Sequence, residues 1–174
     1  MTPFLRACAL GAPLVFAAAT VAAHVVADPN EGPAGGYFRT ALRIGHGCGD
    51  SATVAVRVKL PEGVVSARPQ AKPGWTVEIV RRTLDKPVAA GHGKTVSVVV
   101  DEIVWRGGPL PADQFDEFGL ALKLPDGPGR TLYFPTVQEC EAGALRWTAI
   151  PKAGETWGEL KEPAPFVRLV PAKR

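Results

Sequence analysis

Apolar and polar residues alternate with a period of two through much of the chain. In residues 53–60, Val54, Val56, Val58 and Leu60 fall on one face and Thr53, Arg57 and Lys59 on the other, as in a strand with one buried face. Phe118, Leu120, Leu122 and Leu124 repeat the pattern within residues 115–124. Further strands are predicted over residues 24–28, 37–44, 75–80, 95–105, 131–134 and 145–150, about eight in all, each bounded by Gly, Pro or Asp clusters. With 19 glycines and 17 prolines in 174 residues, no window of a dozen keeps an unbroken helical spacing, so no long helices are expected. Many short strands with frequent turn signals predict an all-β chain. The expected architecture is a single antiparallel β-sandwich, immunoglobulin-like or cupredoxin-like, with a closed barrel as the alternative. Beyond Lys161, the residues Pro163, Pro165 and Pro171 predict a loosely packed tail, in which Phe166, Val167, Leu169 and Val170 offer material for an edge strand.

Before residue 24 the pattern is of another kind. Arg6 leads into a small and apolar run over residues 7–23, and no acidic residue precedes Asp28. That order is the one a secretory signal uses. The run carries Gly11 and Pro13 and ends in Thr20-Val21-Ala22-Ala23, small residues that suit signal peptidase, so cleavage is expected rather than retention as an anchor. Cys8 lies too early in the run for a lipoprotein acceptor and receives no role. The expected organisation is a signal over residues 1–23, one β-sandwich domain over 24–160 and a tail over 161–174, in a protein of the periplasm or the secreted fraction. About 150 residues are enough for one buried core.

The formal charge is +3 with both signs interspersed, which implies neither nucleic acid nor a membrane surface as partner. No apolar run after Ala23 reaches the length of a membrane span. Once Cys8 leaves with the signal, Cys48 and Cys140 form an even pair, and in an exported chain such a pair is most often a disulfide. It would close a loop of about 90 residues and contribute on the order of 4 kcal/mol in the chain-entropy treatment.

Candidate chemistry is limited by three histidines. No G-x-S-x-G, H-E-x-x-H or Gly-rich phosphate loop is present, and catalytic residues are not expected. His92, in Gly91-His92-Gly93, reads as an exposed turn, and His46, in Gly45-His46-Gly47-Cys48, reads similarly apart from its place beside the proposed disulfide. His24 differs, because cleavage after Ala23 would make it the first residue. Its α-amine and ring Nδ1 could then close a six-membered chelate on one metal ion. An α-amine has an ordinary pKa of about 7.7–8.0, so a metal displaces its proton near neutral pH. Two strong nitrogen donors in a tetragonal arrangement favour Cu(II). The competing reading is a terminal histidine with no duty, and cleavage at a neighbouring bond would remove the chelate.

Several pieces occur together in order: His24-Val25, then Pro29-Asn30-Glu31 and Gly35, then Lys72-Pro73-Gly74-Trp75. Val104-Trp105 and Gly107-Gly108-Pro109-Leu110-Pro111 follow, leading to Phe115-Asp116-Glu117-Phe118, and then come Pro135, Gln138 and Arg146-Trp147. This series resembles the YcnI-like family of exported copper-binding domains over nearly all of residues 24–151. The resemblance implies a β-sandwich and a Cu(II) site of the histidine-brace kind, made by the amine and imidazole of one N-terminal histidine, completed by a carboxylate and flanked by a tryptophan. Carried onto this chain, His24 chelates and Trp147 is the neighbour of the metal. For the carboxylate, Glu117 is preferred over Glu31, because the alternation that buries Phe118 and Leu120 turns Glu117 to the opposite face, whereas Glu31 would have to fold back about seven residues. Asp116 is the third choice. Unlike some members, this chain is expected to have no C-terminal membrane anchor, and the Cys48–Cys140 pair is not counted in the shared core.

The function expected is therefore non-enzymatic copper handling, as chaperone, buffer or delivery protein, with a periplasmic copper chaperone or a membrane copper transporter as partner. A copper-dependent oxidative enzyme and a metal-free immunoglobulin-like interaction module are the alternatives. An oxidative enzyme usually needs a second histidine, which only His46 or His92 could supply.

Overall fold

The computed structural model describes residues 24–91 and 93–172; the expected leader over residues 1–23, with Cys8, and the turn histidine His92 lie outside the described residues. Twelve strands are present: β1 (Val26–Asp28), β2 (Glu31–Pro33), β3 (Tyr37–Ile44), β4 (Thr53–Lys59), β5 (Ser66–Pro69), β6 (Trp75–Gly91), β7 (Lys94–Leu110), β8 (Asp116–Lys123), β9 (Thr131–Tyr133), β10 (Thr136–Cys140), β11 (Ala144–Trp147) and β12 (Phe166–Val170). The one helical element among the described residues is a short 3-10 turn over Trp157–Glu159. The all-β expectation holds. None of the described helices is long and apolar enough to cross a membrane.

Two sheets face each other across the core, one in the order β1-β3-β8-β5 and one in the order β11-β10-β4-β7-β6. Leu42 and Ile44 of β3 and Phe118 and Leu120 of β8 meet Val56 and Val58 of β4 and Ile103 and Trp105 of β7 in one apolar cluster. Burying each such side chain contributes about 1.5–3 kcal/mol. Trp105 and Trp75 both set a ring edge against Phe118, with centroids 5.5 and 5.0 Å apart, and the buried Trp105 Nε1–H donates to the Gln70 carbonyl at 3.1 Å.

A third sheet, β2-β12-β9, closes one side. The two facing sheets are antiparallel throughout, as expected, and this third one adds a parallel pair, β12 with β2, with Arg168 opposite Glu31. The structure corrects the reading of the C-terminal stretch: after Lys161 there is neither a loosely packed tail nor an edge, because β12 is the middle strand of its sheet, with Val167 and Leu169 buried on either side of exposed Arg168. Pro163 and Pro165 precede the strand, where a missing N–H removes no rung of its ladder. The folded domain thus extends to Val170, past the boundary at residue 160.

The period-two expectation for residues 53–60 also slips at its start. A bulge between Thr53 and Ala55 buries Thr53 and leaves Val54 half-exposed, before Val56 and Val58 resume the buried face. β10 escaped the pattern for another reason. Its buried face is Thr136, Gln138 and Cys140, so polarity does not mark which side is inward.

Candidate metal centre

β1 is the outermost strand of its sheet and β11 the outermost of the opposing sheet, and the candidate site lies where these two borders approach. His24 stands two residues before β1, whose position is fixed by the burial of Val25 and Ala27. Trp147 is the last residue of β11 and is buried. The His24 ring meets the Trp147 indole edge-on at 5.9 Å between centroids, and it meets a second indole, Trp157, at 5.3 Å with the two planes perpendicular. Trp157 is held by its own Nε1–H, which donates to the Ala164 carbonyl at 2.7 Å.

The orientation of Trp147 is set by a buried amide. Its Nε1–H donates to Gln138 Oε1 at 3.1 Å, while Gln138 Nε2 donates to the His46 carbonyl at 2.6 Å and to Thr53 Oγ1 at 2.8 Å. No buried side-chain polar atom among the described residues lacks a partner, and Gln138 illustrates how the core achieves this. Replacing Trp147 with Phe would strand the Gln138 oxygen. The expected cost is about 1–3 kcal/mol, measurable by denaturant unfolding, and a neutral result would mean that water or a rotated amide replaces the bond.

The loop after β3 carries His46 to the same place. The His46 ring lies edge-on to Trp147 with centroids 6.4 Å apart. Its Nδ1 lies 2.6 Å from the Gly47 carbonyl oxygen. A carbonyl oxygen only accepts, so this bond requires the proton on Nδ1. Gly47 donates its N–H to the Ala112 carbonyl at 3.0 Å, and a Cβ at Gly47 would collide with the Ser51 carbonyl oxygen, so only glycine fits there. One residue further on, Cys48 is bonded to Cys140 of β10, as the even pair of cysteines predicted.

The expected carboxylates have other neighbours. Glu31 faces Arg168 across the β2–β12 pair at 3.4 Å, an exposed contact of little energetic weight. Glu117 is opposite Arg43, which is itself opposite Val26, so Glu117 lies two strands from β1, roughly 10 Å across the sheet. Asp116 is engaged by the Lys72 ammonium at 2.6 Å. Among the described residues, no group of three or more His, Cys, Asp and Glu side chains is placed to hold a metal. Of the residues expected from sequence, the structure brings His24 and Trp147 together, while Glu31 faces Arg168 and Glu117 lies two strands from β1. Trp157 was not foreseen; a tryptophan in an otherwise polar stretch, Glu155-Thr156-Trp157-Gly158-Glu159, was the signal, since a large aromatic needs a surface to cover.

Residues 24–169 match the family described as "Domain of unknown function (DUF1775)". The chain is also similar to an uncharacterized protein from Nocardia farcinica whose crystal structure reveals an immunoglobulin-like fold. The two share 30% identity over 84% of this chain and 98% of that one, with a TM-score of 0.64. No curated protein matches the chain.

Proposed function

We propose that this chain, which belongs to the DUF1775 family across residues 24–169, is an exported Cu(II)-binding protein that holds the ion through the α-amine and imidazole of His24. The finer likeness to YcnI-like copper domains belongs to the same reading. The observation that carries it is the setting of His24: the residue at which the family match begins stands at a sheet border with its ring between two indoles. An N-terminal histidine there offers two nitrogen donors from a single residue, a set that suits Cu(II) over harder divalent ions. The donor chemistry fits the ion, and Trp147 and Trp157 limit how the ring can turn.

Copper is cargo in this reading, not a catalytic group, and the function is storage or delivery in the periplasm or outside the cell. A periplasmic copper chaperone or a membrane copper transporter is the partner class. Release follows from the donor types. The described residues contain no methionine, and both of their cysteines are spent in a disulfide, so reduction of the ion leaves Cu(I) with nitrogen donors and no sulfur. The two tests are intact-mass analysis of the protein exported by its own leader and Cu(II) titration against a competing chelator. A chain starting at His24 that binds one Cu(II) is expected. A start at any other residue, or no Cu(II) bound by the authentic chain, would overturn the reading.

A further inference from the structure

We propose that the outer face of the β1-β3-β8-β5 sheet carries a binding site for a compact oxyanion, a carboxylate or phosphate group gripped between Arg39 and Arg68. The site is independent of copper and of His24. Its first support is the strand register. Ala121 of β8 is opposite Arg39 of β3 on one side and opposite Arg68 of β5 on the other, so the three residues share one rung. Directly opposite residues project to the same side of a sheet, and because the alternate positions Leu120 and Leu122 are buried in the core, this rung faces out. The two arginine backbones are thus two strand spacings apart, roughly 10 Å, with only a methyl group between them. Side chains as long as these converge across such a gap.

The second support is the charge balance around that rung. Neighbouring cations are already engaged: Arg43 with Asp28 at 3.2 Å, Lys72 with Asp116 at 2.6 Å, and Lys123 with the Gly35 carbonyl and the Tyr37 ring. Arg39 and Arg68 are exposed, and among the described residues neither guanidinium has a hydrogen bond or an ion pair. Like charges on one rung repel, and an anion between them turns that repulsion into attraction. A guanidinium is also a planar fork that matches the oxygens of a carboxylate or phosphate two at a time.

The third support is the shape of the surface. Both arginines line one cleft of about 460 Å³, a size that suits a small molecule. Ala41, Gly119 and Ala121 keep its floor low. A Cβ at residue 119 would collide with the Gln70 side chain, so glycine there leaves the space in which Gln70 lies across β8, one rung from the arginines. The Gln70 backbone is held at both ends, its N–H donating to the Gly119 carbonyl at 2.8 Å and its carbonyl accepting from Trp105 Nε1–H at 3.1 Å. Asp28 and Glu117 line the other end of the cleft, and Glu117 is four residues, roughly 13 Å, from Ala121 along β8. An extended polyanion or an anionic membrane would meet those carboxylates, whereas a compact anion stays clear of them.

The experiment titrates the exported protein, without added metal, with inorganic phosphate and separately with succinate, following heat and backbone amide chemical shifts. Saturable binding of at least one is expected, with the shifts centred on Arg39, Arg68 and Ala121, and the anion that binds identifies the oxyanion class. Arg39→Gln and Arg68→Gln should each weaken binding by at least about tenfold, as loss of a charge-assisted contact does. Lys152→Gln removes an equal charge outside the cleft and should leave binding unchanged. Ala121→Glu places a carboxylate on the rung itself, and should abolish binding while raising Tm. No saturable binding of either anion, equal weakening by Lys152→Gln, or a Tm that does not rise in Ala121→Glu would overturn the proposal. Binding only to vesicles of anionic phospholipid would overturn it as well, by assigning the two arginines to a membrane surface.

Discussion

A protein carrying one extra residue before His24 is expected to bind Cu(II) on the order of 10²–10⁴-fold more weakly than one that begins there. The reason is chelation. Once the imidazole is bound, an α-amine on the same residue meets the ion as an intramolecular partner, and a linked second contact of that kind is worth such a factor over independent donors. An added residue converts the amine into a peptide nitrogen, which Cu(II) can use only by displacing its proton, and moves the new terminus away from the ring. The fold should be unaffected, because His24 precedes β1 and the strand is anchored by Val25 and Ala27. Glu31→Gln and Glu117→Gln serve as comparisons. Both should bind like the parent, since Glu31 faces Arg168 and Glu117 is two strands away. Titration against a competing chelator gives the ratios, and equal affinity in the extended protein would refute the terminal chelate.

Replacing Cys48 and Cys140 together with Ser is expected to cost about 4–5 kcal/mol and to lower Tm by roughly 10–20 °C. The two residues are 92 positions apart, so their bond removes a large loop-closure entropy from the unfolded chain. Thermal and denaturant unfolding of the double variant measure the loss. A cost below about 1 kcal/mol would mean that the unfolded chain is already compact around this loop. The bond also joins the loop after β3 to the strand that carries Gln138, so copper affinity in the double variant should fall with it, beyond what stability alone explains.

The legible parts of the fold were those in which apolar residues alone mark the buried face. β3, β4 and β8 are of this kind, with Leu42, Ile44, Val56, Val58, Phe118 and Leu120 all inward. β2 and β5 are only 3 and 4 residues long and each contains a proline, so neither reads as a strand from composition. β10 hides behind Thr136 and Gln138, polar side chains that are buried because each is hydrogen-bonded. The tail was misread because three prolines spoke louder than the alternation of Val167 and Leu169.

At the site, His24 could be singled out because its chemistry depends on chain position, and Trp147 because it follows from a family pattern. Which carboxylate comes near His24 is not a question that alternation can answer. Facing outward is a property of one strand, whereas reaching His24 depends on sheet order, and β3 intervenes between β1 and β8. The neighbourhood of His46 is the same problem in reverse. Nothing in Gly45-His46-Gly47 announces the Trp147 indole, which only the fold sets against the His46 ring.

The parallel pairing of β12 with β2 has a consequence in time. Arg168 and Glu31 are 137 residues apart, and at about 5–20 residues per second a ribosome needs roughly 7–27 s to make that stretch. During that interval β1 can pair with β3, and β3 with β8 as it emerges, but β2 has no ladder partner. Leu132, opposite Val167, likewise waits for its cover. A chain halted before Phe166 therefore presents an open strand border and an uncovered apolar surface, the features that holding chaperones bind and that neighbouring chains pair with.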